Sequence, residues 1–265
     1  MFEEFYELRA TPFSRGIHTD NMYMSAELEE TLNRLRYVAE RSLFMVVSGD
    51  CGTGKTSILR KFKAELNPVK FKFLYISDSK LTPRHFYRHM LEQLGFQAMY
   101  HRGDAKRQLQ HEVELLKVIH GIQPVCVCDE CHLLDREMLE EIRFLLNMKL
   151  DSESPMPLII CGQSEVWNKL QLQTYSAIRQ RIDIQSSINH YDRSQTAAYI
   201  GHQLNIAGST RDLFTDAAID KVFQFSSGTA RVIDKVCTSL LLYGSQSKKR
   251  IIDDHAVDYV LECEF

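Results

Sequence analysis

Short apolar runs alternate with longer amphipathic stretches through the first 190 residues of this chain. The runs at 43–48, 71–76, 124–128, 158–161 and 182–185 are rich in Val, Ile, Phe and Cys, and the spacing predicts five strands. Between them the apolar period is helical. Ser25 caps a helix with Glu27, Glu29 and Glu30 in its first turn, and Leu28, Leu32, Leu35 and Val38 fall on one face. A second helix follows the glycine-rich stretch at 49–56. Thr82-Pro83 opens a third, which stops at Gly95. Residues 97–104 read as a loop, and Asp104 opens a helix with Leu109, Val113, Leu116 and Ile119 at helical spacing. Asp135 caps another through Met148, and short helices are expected near 165–171 and 174–180. Strands alternating with helices over short connections specify an α/β fold, a parallel sheet with helices on both faces.

From about Asp192 the strand signals cease. Helices are expected at 192–206, 215–225, 229–243 and 253–262, with Thr215 and Asp253 as N-caps. Three parts follow: an irregular aromatic extension over 1–24, an α/β domain over 25–190, and a small helical domain over 191–265.

The chemistry begins between the first strand and its helix. Gly49-Asp50-Cys51-Gly52-Thr53-Gly54-Lys55-Thr56 fits G-x-x-x-x-G-K-[ST], the P-loop, in the required strand–loop–helix context. Its glycines let backbone N–H groups turn inward around phosphates, and the helix opening at Thr56-Ser57 adds positive potential. Lys55 reaches the β- and γ-phosphates, and the Thr56 hydroxyl ligates Mg²⁺. The third run ends in Asp129-Glu130, a Walker B pattern. Asp129 would hold Mg²⁺, and Glu130 would orient or deprotonate the attacking water. Cys128-Asp129-Glu130-Cys131-His132 also matches C-x-x-C-H, the haem-attachment spacing. Nothing in the sequence suggests the export that attachment needs, and no second ligand pair supports zinc. Buried strand thiols are the expected reading.

Gln163 follows the fourth run and is placed to touch the γ-phosphate or the water. Arg179 and Arg181 precede the fifth run, where an arginine can reach a neighbouring subunit's γ-phosphate. They point in different directions, so one of them, preferably Arg179, is the trans-acting finger. Arg231, in Gly228-Thr229-Ala230-Arg231, opens a lid helix and can reach back to the phosphates.

Composition narrows the partners. Net charge is −3, so nucleic-acid binding must come from a local patch. Seven cysteines, odd in number and scattered, suit reduced thiols in a cytoplasm. No apolar run approaches a membrane span, and the acidic, aromatic N-terminus is not a signal peptide.

With these parts in order, the chain resembles the AAA+ ATPases over roughly residues 10–262. A lid arginine in Gly-Thr-Ala-Arg, where many relatives have Gly-x-Pro-Arg, is a mild departure. The resemblance implies a five-stranded sheet of order 5-1-4-3-2, ATP with Mg²⁺ at subunit interfaces, and hexameric rings or helical filaments. Within the family, Phe5-Tyr6-x-Leu8 … Pro12-Phe13, Gly162-Gln163 and Tyr199-Ile200 … Leu204 … Ala207-Gly208 look like the ExeA-like group. By that resemblance, Pro12 and Phe13 lie near the adenine.

Two roles share this domain. Secretion-type ExeA proteins continue into a membrane span and a peptidoglycan-binding domain, which are not seen here. Standalone versions resemble transposition helpers of the TnsC, TniB and MuB kind, which assemble on DNA with ATP and recruit or stimulate a transposase. The expected function is therefore an ATP hydrolase that assembles on double-stranded DNA, largely without sequence preference, and regulates a transposase. The alternatives are an ATPase energising envelope assembly and a nucleotide-gated scaffold with little turnover. Candidate DNA contacts are Lys80 and Arg84 after the second strand, and Arg102, Lys106 and Arg107 around the following helix.

One residue has no role in this scheme: Cys51, inside the phosphate loop. Alkylating Cys51 is expected to impair ATP binding, and prebound ATP is expected to protect the thiol. Binding that survives confirmed modification of Cys51 overturns that expectation.

Overall fold

The computed structural model describes residues 2–78, 81–145 and 154–265. The chain divides into two compact units. One holds Glu27–Asp50 and Lys55–Ile188, the other Met1–Ala26, Cys51–Gly54 and Asn189–Phe265.

The larger unit is built on a parallel sheet of β1 (Phe44–Gly49), β2 (Phe71–Ile76), β3 (Gln123–Cys128), β4 (Leu158–Gly162) and β5 (Ile184–Ile188). Its spatial order is β2-β3-β4-β1-β5, the expected 5-1-4-3-2 read from the other edge. Successive strand residues point to opposite faces. Phe44, Val46, Leu74, Ile76, Cys126, Cys128, Leu158 and Ile160 join one core. Met45, Val47, Val125, Val127, Ile159 and Cys161, on the other face, are also buried. A sheet buried on both faces explains why its strands read as continuous apolar runs.

The helices around it are α2 (Ala26–Arg41), α3 (Lys55–Glu65), α4 (Pro83–Leu94), α5 (Arg102–His120), α6 (Arg136–Leu145), α7 (Ser164–Gln171) and α8 (Ser176–Arg179); α1 (Phe2–Phe5) belongs to the smaller unit. Leu28, Leu32, Leu35 and Val38 of α2 are buried as their spacing requires. The Thr82 hydroxyl accepts from the His85 N–H, and Gly95 ends α4 in the left-handed region. The Asp135 carboxylate accepts from the Met138 N–H at 2.8 Å, capping α6. The end expected for that helix, at Met148, lies outside the described residues.

Four expectations shift. Helix α5 begins at Arg102, so Asp104 sits inside its first turn, where a carboxylate suits the helix N-terminus. Its buried stripe is Ala105, Leu109 and Val113. Ile119, about 120° around the helix from Val113, is exposed. The helix expected near 174–180 is a 3-10 turn (Gln173–Tyr175) running into the short α8.

The fifth strand runs to Ile188 rather than stopping at Gln185. Two features set its register. The Asp183 carboxylate accepts from the Phe44 N–H at 2.8 Å, just before pairing begins. Ser186, a polar residue inside the strand, is buried because its hydroxyl meets that of Thr31 at 2.7 Å. That partner lies far away in sequence, so the serine pair hides the strand from a hydrophobicity reading.

The smaller unit contains α9 (Arg193–Ile206), α10 (Asp216–Ser226), α11 (Ala230–Gln246) and α12 (Asp254–Glu264). Asp192 and Gln195 form a reciprocal capping box on α9. Thr215 and Asp253 cap α10 and α12 as expected. Ile233, Val236, Cys237, Leu240 and Leu241 of α11 meet Ala218 and Val222 of α10 and Ala256, Val257 and Val260 of α12. The N-terminal segment is part of this core through Phe2, Tyr6 and Phe13. The Tyr6 hydroxyl donates to the Lys249 carbonyl at 3.0 Å, and a side chain on Gly244 would strike it. Among the described residues, no helix is long and apolar enough to cross a membrane.

An acid, Asp234, lies partly buried in this unit. The Tyr199 hydroxyl donates to Asp234 Oδ1 at 2.6 Å. Burial nevertheless raises the Asp234 carboxyl from 3.8 to about 6, against the opposing pull of that hydrogen bond. The folded unit thus holds its proton longer than the unfolded chain does. Stability falls as pH rises from about 4 through about 6, by on the order of 3 kcal/mol. Asp234→Asn keeps an acceptor for Tyr199 and has no charge to bury. It is expected to melt near wild type at pH 4 and several degrees above it at pH 8. A melting difference independent of pH overturns this account.

Candidate functional site

Strand register brings the predicted site residues of the larger unit to one edge. Ser48 pairs with Gly162, and Cys128 pairs with Ile160. The segments that leave β1, β3 and β4 therefore emerge side by side at the carboxyl ends of adjacent strands, where ligands bind in open parallel sheets. They carry the P-loop, Asp129-Glu130 and Gln163.

Lys55, the first residue of α3, is buried. Its ammonium donates to the Gly49 and Asp50 carbonyls, at 2.7 Å each. A buried cation that donates to neutral carbonyls can exchange them for phosphate oxygens. Thr56 follows, and its hydroxyl donates to Asp129 Oδ2 at 3.2 Å. The next residue, Ser57, lies in the first turn of α3. Asp50 accepts from the Ser164 hydroxyl at 2.5 Å, joining the loop to the start of α7.

Asp129 is buried and held on both oxygens. Oδ2 also accepts from the Tyr75 hydroxyl at 2.9 Å, and Oδ1 accepts from the Glu130 N–H at 2.9 Å. Burial first, and this hydrogen bond second, push the Tyr75 phenol well above its ordinary range, so it stays a donor. Mg²⁺ fits this donor set. Two oxygens of one octahedron with bonds of 2.0–2.1 Å lie about 3 Å apart, close to the Thr56–Asp129 separation. Asp129 and Thr56 are thus the residues that would hold the ion. Tyr75 is absent from the sequence expectations. Its only signal is a tyrosine next to last in the strand that neighbours the Asp129 strand.

Glu130 sits at φ 56°, ψ 30°, in the left-handed region. That conformation costs a non-glycine residue about 1–2 kcal/mol, and the hydrogen bond from its N–H to Asp129 supports it. Its carboxylate is half exposed and lies 3.5 Å from His132 Nδ1. The Gln163 amide meets the other ring nitrogen of His132 at 3.1 Å. Gly162 permits this approach, since a Cβ there would come within 2.9 Å of the His132 backbone nitrogen.

The cysteines of this region are free. Cys126, Cys128, Cys131 and Cys161 are buried, and Cys51 is exposed. Cys126 and Cys128 approach to 3.9 Å between sulfurs. Among the described residues, no group of three or more His, Cys, Asp or Glu could hold a metal ion.

Arg179 and Arg181 flank the turn after α8. The Arg179 guanidinium donates to the Gln171 carbonyl at 2.8 Å, and Arg181 is partly buried. In the smaller unit, Arg231 donates through its backbone N–H to the Gly52 carbonyl at 3.3 Å. Its guanidinium lies 3.4 Å from the Cys51 sulfur. Glycine is needed at 228 because a Cβ there would collide with the Tyr191 backbone. Gly52 itself, at φ +86°, would press a Cβ within 2.9 Å of Arg231. Pro12 is buried, and Phe13 belongs to the core of this unit.

The candidate DNA contacts divide. Arg102 approaches Glu137 and Glu141 at 3.6 Å each, Lys106 pairs with Glu141 at 3.2 Å, and Arg107 pairs with Asp104 at 2.5 Å. These cations are largely answered within their own unit. Arg84 instead lies over the exposed Tyr100 ring at 4.3 Å. Lys80 lies outside the described residues.

Tyr75→Phe keeps the ring and removes the hydroxyl that orients Asp129. It is expected to weaken Mg²⁺-dependent nucleotide binding several-fold, with a larger loss for Thr56→Ala. Titrating Mg²⁺ against a fluorescent ATP analogue measures both. Equal Mg²⁺ dependence in Tyr75→Phe and wild type would falsify the role given to Tyr75.

Comparison with known proteins agrees with this geometry. A family model described as an AAA domain matches residues 38–170. The general secretion pathway protein A of Aeromonas hydrophila is 26% identical over 246 residues, covering 91% of this chain and 44% of that protein. The chain thus spans less than half the length of this relative. Among solved structures, Cdc6p of Pyrobaculum aerophilum matches with a TM-score of 0.67 and 17% identity, over 91% of this chain and 67% of its own. Drosophila ORC bound to DNA matches with a TM-score of 0.63 and 18% identity, over 98% and 64%. The RuvB Holliday junction branch migration motor of Thermotoga maritima matches with a TM-score of 0.60 and 17% identity, over 97% and 72%. At these identities the three structures speak for the fold alone. The order of the sheet, the P-loop after its first strand and the matched model together show that the chain belongs to the AAA+ ATPase family.

Proposed function

We propose that the chain binds ATP with Mg²⁺ and hydrolyses it, and that the nucleotide governs its assembly. The observation that carries this reading is the Thr56–Asp129 pair at 3.2 Å beside the buried Lys55. A metal-bridging edge and a phosphate cation, both in place, are what phosphoryl transfer requires of a protein. In this reading the backbone N–H groups from Gly49 to Gly54 cradle the phosphates, with Thr53 and Ser57 flanking them. Glu130 activates the water, and Gln163 faces the γ-phosphate. Arg231 reports the nucleotide to the helical domain. Arg179 or Arg181 serves a neighbouring copy, and Pro12 and Phe13 bound the adenine.

Cytoplasmic assembly on double-stranded DNA, coupled to a transposase, is the setting implied by the resemblance to standalone transposition helpers. Arg84 stacked on the exposed Tyr100 supports it, because an arginine and an aromatic face together suit a nucleic-acid backbone and its bases. A second setting, energising an envelope assembly, is favoured by the likeness to the secretion pathway protein.

Glu130→Gln is expected to keep ATP binding and lose turnover by about 10²–10⁴-fold. A wild type that binds ATP without turnover would support the nucleotide-gated scaffold instead. Electron microscopy with an ATP analogue and duplex DNA separates the two settings. Rings or filaments threaded by DNA, formed only with nucleotide and lost steeply with salt, fit the transposition role. Assembly that ignores DNA counts against it.

A further inference from the structure

His132 lies between the two residues that act on the attacking water. Its side chain is nearly buried, and Nδ1 is 3.5 Å from Glu130 Oε2. The other ring nitrogen, Nε2, is 3.1 Å from Gln163 Nε2. The Gln163 backbone N–H also points at Nδ1, at 3.4 Å. These contacts cannot all hold at once. A neutral imidazole has one donor and one acceptor nitrogen, so Nδ1 either donates to Glu130 or accepts from the Gln163 backbone.

Two states follow from that constraint. In the first, Nδ1 carries the proton and donates to Glu130, while Nε2 accepts from the Gln163 amide nitrogen. In the second, the Gln163 amide has turned over, so its oxygen faces the ring. Nε2 then carries the proton and donates to that oxygen, Nδ1 accepts the Gln163 backbone N–H, and Glu130 loses its partner. The amide nitrogen released from the ring is the donor that a γ-phosphate oxygen would take. The left-handed backbone of Glu130 suits this arrangement, because its carboxylate lies within reach of a ring nitrogen that a tautomer change can turn from donor to acceptor.

We propose that His132 is a positioning residue that couples Gln163 to Glu130. A γ-phosphate contact at Gln163 turns the amide. One proton leaves Nδ1 for solvent water as another reaches Nε2 from it, so the imidazole changes tautomer with no net change of charge, and the Glu130 carboxylate, still ionised, is freed to receive the proton of the attacking water. Without the γ-phosphate, Glu130 stays paired with the His132 ring. The inference rests on the proposed ATPase reading and assigns its switch to a residue that the C-x-x-C-H spacing had disguised.

The test combines kinetics with spectroscopy on the full chain. His132→Ala is expected to bind a fluorescent ATP analogue within about twofold of wild type, while kcat falls roughly tenfold or more. Gln163→Ala should cost a similar factor alone and almost nothing further in the His132→Ala background, since both remove one relay. Ring ¹⁵N shifts of His132, assigned by their absence in His132→Asn, should change from the Nδ1–H to the Nε2–H pattern when a non-hydrolysable ATP analogue and Mg²⁺ are added to the wild type. Additive kinetic losses, or a ring pattern that ignores the analogue, overturn the coupling. The spectroscopic arm reads the wild type and needs only the conservative His132→Asn for assignment, so it decides the matter even if the alanine variants fold poorly. A wild type that neither binds nor hydrolyses ATP removes the ATPase reading itself, and this inference with it.

Discussion

A single carboxylate organises the site edge of the larger unit. Asp129 is buried, and water cannot satisfy it, so its two oxygens must be answered by protein. They are answered by three groups of different origin: the Thr56 hydroxyl from the helix after the P-loop, the Tyr75 hydroxyl from β2, and the N–H of Glu130. Each contact ties another part of the unit to the end of β3. The first aligns the phosphate loop's helix with the metal position. The second brings in the edge strand. The third holds Glu130 in a backbone conformation that its side chain alone would not choose.

The same carboxylate explains why close packing matters around it. Gly162 brings β4 so near the segment after Asp129 that a Cβ would press on the His132 backbone. That closeness lets Gln163 reach His132, and His132 reach Glu130. Asp129, Glu130 and Gln163 are thus linked through short contacts across β3 and β4. A change at one of them is felt at the others, which is the physical basis for reading this edge as a switch as well as a binding site.

Charge is handled differently at the surface. Three of the candidate DNA-contacting cations, Arg102, Lys106 and Arg107, face carboxylates at 2.5–3.6 Å. Glu141 is buried and also accepts from the Tyr87 hydroxyl. Its partners Lys106 and Arg102, together with that hydroxyl, keep its carboxyl below the ordinary value despite burial. A basic cluster in the sequence is here largely part of an internal network. Arg84 on Tyr100 keeps the chemistry expected of a nucleic-acid contact, and it does so through a ring that no periodicity argument singled out.

The sequence by itself determined the strands that are buried on both faces, the order of elements and the phosphate loop, because these depend on local composition and on neighbours a few residues away. Helix caps at Thr82, Asp135, Thr215 and Asp253 were legible for the same reason, whereas Asp192 was read as helical and its capping role emerged only in the structure. The fifth strand's true extent was not, because Ser186 is buried only by virtue of Thr31. Ile119 was misplaced because it lies about 120° around the helix from Val113, off the stripe that the core covers. Tyr75 and His132 became visible only when register set β2, β3 and β4 side by side. Their significance lies in distances between side chains remote along the chain, or turned toward each other by a left-handed residue and a glycine. Such distances exist only once the sheet has formed, so tertiary structure alone decided which of many polar residues share the site.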